Sequence, residues 1–217
     1  MTRANRTDQV AGTWLAIASL LIIATLVLHG PIAPDLGDQM KRVADGPLRW
    51  AVAHWIAAAA FSLYAMTGLV VLGSGSRLTA SSSILTAWAV VSVGALWTMT
   101  TAVAEATVVA AAAASGNMGT FEAWWAFAEG KATGFAFVAL AVAVIARNEA
   151  QSSERAAPAW SAWIAMGAGV VSFAGWALGM WFEVGLGSHL WVASSILMSV
   201  WTLWFGVALM RSQADGV

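Results

Sequence analysis

Three histidines, His29, His54 and His189, and the carboxylates Glu105 and Glu129 are the side chains of this sequence best suited to hold a metal ion or move a proton. Imidazole and carboxylate together suit zinc, copper or iron, and paired histidines on facing helices suit the axial positions of haem b. On this reading His54 and His189 bind a cofactor. His29, His54, His189 and Glu129 are the candidate metal ligands, and Glu105 and Glu129 the candidate catalytic groups. No fixed-spacing motif such as HExxH joins them, so they would have to converge from separate helices.

The stretch "WWAFAEGKATGF" places Glu129 and Lys131 two residues apart in an apolar run. Residues at that spacing do not face each other on a helix. Glu129 is expected to look toward a polar site, on the face that carries Glu122 and Thr133. Lys131 then looks toward another helix, where Glu105, at a similar depth, is its expected partner in a structural ion pair. A charge inside a bilayer costs about 2.5–3.5 kcal/mol on insertion scales, so such groups face a bundle interior and take partners.

The elements that must position these residues follow from composition. Of 217 residues 60% are hydrophobic and 10% charged, against about 25% charged in a soluble domain. Such a chain cannot cover a water-facing surface, and the lipid bilayer is its implied partner. A net charge of -1 leaves no basic surplus for nucleic acid. The absence of cysteine removes disulfides, thiolate metal sites and iron–sulfur clusters. There is no phosphate-binding glycine loop, serine-hydrolase elbow or dinucleotide fingerprint.

A spanning helix needs about 20 mostly apolar residues. Six segments qualify, approximately 10–29, 49–72, 84–106 with an apolar continuation to 114, 122–145, 158–182 and 189–210. The fold class is therefore an all-α integral membrane protein, a six-transmembrane-helix bundle forming a single membrane domain over 1–217. The third segment exceeds a bilayer core, so it tilts, breaks near Thr100–Thr101, or projects. Residues 30–48 read as a polar loop, and "EVGLGS" as a tight link between the last two spans.

The positive-inside rule gives an N-in/C-in topology in the cell (inner or plasma) membrane. Arg3, Arg6, Arg77, Arg147, Arg155 and Arg211 then lie inside, against Lys41, Arg42 and Arg49 outside. In that frame every histidine falls toward the outer face, with Glu105, Glu122, Glu129 and Glu183, and the inner half of the spans carries no ionisable group. Trp50 and Trp191, near span ends, are assigned with Trp14, Trp160, Trp163 and Trp181 to the interfacial belt. Gly175 and Gly179, with Gly167 on the same side, mark a close helix contact, and Gly130 with Gly134 a second. Tyr64, the single tyrosine, is assigned to the core.

The function these features suggest is metal- or haem-assisted redox or hydrolytic chemistry on a small or lipophilic compound, bound in the outer half. The alternatives are transport or binding of a small solute or cation, and an accessory role in an oligomer or membrane complex.

Overall fold

A computed structural model describes the backbone of residues 3–33 and 35–211 and, within these, the side chains of 6–33, 35–127 and 133–211. Six helices are long and apolar enough to cross a membrane, and no strand occurs among the described residues. The first, second, fourth and sixth spans are α1 (Arg3–His29), α3 (Pro47–Leu72), α6 (Met118–Gln151) and α8 (Gly185–Arg211). The third is α4 (Ser82–Ala104), continued by a π turn (Glu105–Val109) into α5 (Ala110–Ala114). The fifth is α7 (Ala159–Trp176), continued by a second π turn (Ala177–Trp181).

Each span packs on the next in chain order, and α8 returns to α1, so the six close into a ring. Short links make this arrangement natural, because sequential helices joined by a few residues lie side by side and antiparallel. Outward-facing Leu20, Val27, Leu69, Val93 and Val200 are exposed. A soluble protein does not leave such a continuous apolar surface to water; hydrocarbon covers it here.

Small residues set the closest approaches. A Cβ added to Gly94 on α4 would lie 2.8 Å from the Gly134 carbonyl oxygen of α6, and one on Gly134 2.7 Å from the Gly94 oxygen. Gly175 and Gly179 meet α8 at Trp191, Gly187 and Ser188, as their spacing predicts. Gly167 does not share that contact and has open space beside it, whereas Gly169 on another face meets Ala139 of α6.

Of the alternatives for the third span, a break at Thr100–Thr101 does not occur: the span stays helical to Ala114 over 33 residues. One expectation about the connections is corrected. Residues 30–48 are not all loop, since α2 (Leu36–Ala44) forms within them. The Asp35 side chain caps α2, accepting from the Asp38 N–H at 2.9 Å, and Gln39 and Val43 on one face are buried. That face packs on α5, the projecting end of the third span. Val43, Trp50, Val109, Phe121 and Trp125 close a second small core there.

The opposite end of the bundle is not free of buried charge. Asp8 and Glu149 are both buried. Arg77 pairs with Glu149 at 2.8 Å, and the Glu149 carboxylate also accepts from the backbone N–H groups of Ala156 and Ala157.

Candidate functional site

α1 ends at His29 because Gly30 adopts φ +67, a left-handed conformation that glycine takes without strain. The His29 Nδ1 lies 2.6 Å from the Gly30 carbonyl oxygen. Two turns into α3, the His54 Nδ1 lies 2.9 Å from the carbonyl oxygen of Trp50, four residues back. The two imidazoles meet edge to face, centroids 5.1 Å apart. The Trp50 ring sits 4.6 Å from each, and its indole N–H donates to Glu105 Oε2 at 3.0 Å. Glu105 is buried and opens the π turn of the third span. Single π turns inside α-helices occur often at functional sites. Three helices thus bring together two histidines and a carboxylate through one tryptophan.

His29, His54 and Glu105 border a cavity of about 90 Å³. All six spans line it. Ile22, Thr25, Leu26 and His29 come from α1, and His54, Ala57 and Phe61 from α3. Thr98, Thr101, Ala102 and Glu105 come from the third span, Trp125 and Phe135 from α6, Trp176 and Met180 from the fifth span, and Trp191 from α8. The second π turn carries Met180, so both π turns reach the cavity. Space of this size holds several water molecules or a small guest.

The sequence-derived candidates divide. His29, His54 and Glu105 come together. His189 does not join them: its ring is exposed and turns back to the Gly185 carbonyl oxygen at 3.1 Å. The reason is the start of α8 at Gly185, which puts His189 in the second turn facing outward, while Ser188 and Trp191 take the buried face. The side chains of Glu129 and Lys131 lie outside the described residues, and with them the roles given to Glu129 and the Glu105–Lys131 ion pair. Glu122 and Glu183 are exposed. Among the described residues no three His, Asp or Glu side chains gather closely enough to hold a metal ion.

The tryptophans carry the largest correction. Trp50 and Trp191 are buried beside the histidines and not in an interfacial belt, and Trp176 packs edge to face on Trp191 at 5.0 Å. A signal for Trp50 exists in the sequence: it stands four residues before His54, hence one turn away on the same helix face. Trp160, Trp163 and Trp181 do lie on the outside. Compared with family models, curated proteins and solved structures, the chain matches none.

Proposed function

We propose that the protein binds a small, largely apolar molecule inside the bundle, at the end where His29, His54 and Glu105 meet. The cavity carries this reading: about 90 Å³ of space, walled mainly by apolar side chains, five of them Phe or Trp, with a few polar groups joined through Trp50. Ligand pockets have this make-up, mostly apolar with few polar groups that fix orientation. An apolar cavity of about 150 Å³ takes up benzene; this one is smaller but only partly enclosed. Imidazole and carboxylate are also the groups that general acid–base chemistry uses. A bound molecule would therefore sit beside side chains able to move its protons. The positive-inside count supports an orientation with this end outside the cell membrane and both termini in the cytoplasm.

The other readings have less support. A metal centre needs a third donor beside His29 and His54, and the described residues offer none. Translocation needs a path through the bundle. Beyond the cavity the axis is filled by the hydroxyls of Ser19, Tyr64 and Thr202, bonded at 2.7–3.1 Å, and by the buried rings of Trp88, Trp201 and Phe205.

Ala57 and Ala102 line the cavity and are buried, so Ala57→Leu and Ala102→Leu fill it from two walls. Toluene should raise the unfolding temperature of the wild-type protein in lipid nanodiscs, by mass action on the folded state. It should raise that of either variant much less. An equal rise in all three proteins overturns the proposal.

A further inference from the structure

Resting on that reading, we infer that the guest is a neutral hydrogen-bond donor, an alcohol or phenol, whose hydroxyl is received by Nε2 of His29 or His54. A backbone carbonyl only accepts, so each Nδ1 that lies against one must carry the ring's proton. In the neutral ring the second nitrogen, Nε2, is then a lone-pair acceptor. Among the described residues neither Nε2 has a hydrogen-bond partner, although both rings border the cavity. Two helices thus present two acceptors to one cavity.

Among the described residues, the donors around that space are already committed or covered. The Trp50 N–H goes to Glu105. The Thr98 hydroxyl donates to the Gly94 carbonyl at 2.8 Å and that of Thr25 to the Ala53 carbonyl at 3.3 Å. The polar atoms of Thr101, Trp176 and Trp191 have no partner, but the packed wall covers them. Among the described residues, a guest that can only accept, such as an ether or ketone, finds no open donor. A guest that donates finds an acceptor, and its apolar body meets Phe61, Phe135 and Trp191. The structure selects for a donor by tautomer and not by charge.

Phenol and its methyl ether, anisole, test this with the intact chain in lipid nanodiscs. The sequence has only three histidines, so a spectrum of protein labelled with ¹⁵N in the imidazole rings resolves each one, and exposed His189 serves as the internal control. His29 and His54 should both show the tautomer protonated at Nδ1. Phenol should move the Nε2 resonance of at least one of them in the direction of an accepted hydrogen bond, and anisole should move neither. Referred to partition into empty nanodiscs, phenol should bind about fivefold tighter than anisole, the yield of one net hydrogen bond. Leucine in place of whichever histidine responds, His29→Leu or His54→Leu, should reduce that preference. Equal binding of the two compounds, an unmoved Nε2, or rings protonated at Nε2 overturns the inference and leaves the cavity reading standing. No binding of phenol, anisole or toluene overturns both.

Discussion

Glu149 is held from two directions, by the Arg77 guanidinium and by two backbone N–H groups near the end of the link to α7. Its side chain is 3% exposed and that of Arg77 24%. Removing one member of a buried pair leaves the other charge uncompensated and costs about 3 kcal/mol at the lower end of the usual range. Glu149→Ala should therefore lower stability by about that amount, read from denaturant unfolding in nanodiscs. Arg77→Ala should cost less, because the carboxylate keeps its two backbone donors, whereas Glu149→Ala leaves those two N–H groups without their acceptor. An equal loss in both would show the pair alone to be what matters. Nothing in the sequence marks Glu149 as buried: a charge near a span end is ordinarily solvated. The converse holds for Trp50, where a ring at a span end looks interfacial until its one-turn spacing from His54 is considered.

At the scale of the element, the close helix contacts are what a substitution tests most directly. Gly94 faces the backbone of Gly134 and admits no side chain, whereas Gly167 has nothing within 4 Å of where a Cβ would be. Gly94→Leu should part α4 from α6 and cost about 3 kcal/mol, as overpacking does. Gly167→Leu should stay within about 0.5 kcal/mol of wild type. Similar effects from the two would remove the argument that α4 and α6 meet backbone to backbone. The six spans themselves were legible because runs of about 20 apolar residues have few alternative uses. α2 was not, since a single amphipathic helix of nine residues between proline-containing segments carries the same composition as a loop. The π turns left no signal either; they come from where the surrounding helices need the chain, and composition is blind to that.

For the whole molecule, the ring closed by α1 and α8 explains why distant parts of the sequence share one cavity. Its histidines come from the first two spans, its carboxylate from the third, and two of its rings from the last two. The convergence of His29, His54 and Glu105 could be anticipated from their common depth; the exclusion of His189 could not, because helix phase at a start four residues earlier decides it. Orientation in the membrane is testable without interference, because the chain has no cysteine. Ser115, after α5, and Ser153, after α6, are exposed at opposite ends of the bundle. In intact cells a membrane-impermeant maleimide should label Ser115→Cys and spare Ser153→Cys until the cells are opened. The reverse pattern would put the cavity on the cytoplasmic side.

A π turn accommodates one surplus residue in an otherwise regular helix, so the turns beyond it are rotated by about 100° from the course an unbroken helix would take. In the third span that surplus falls between Glu105, which looks at the bundle axis, and the alanines of α5, which receive α2. Take one residue out of Glu105–Val109 and the two faces fall out of step. The carboxylate can stay in register with Trp50, or the alanine surface can stay in register with Val43, but a straight helix cannot serve both. The extra residue is the joint that lets one rod present two differently aimed surfaces.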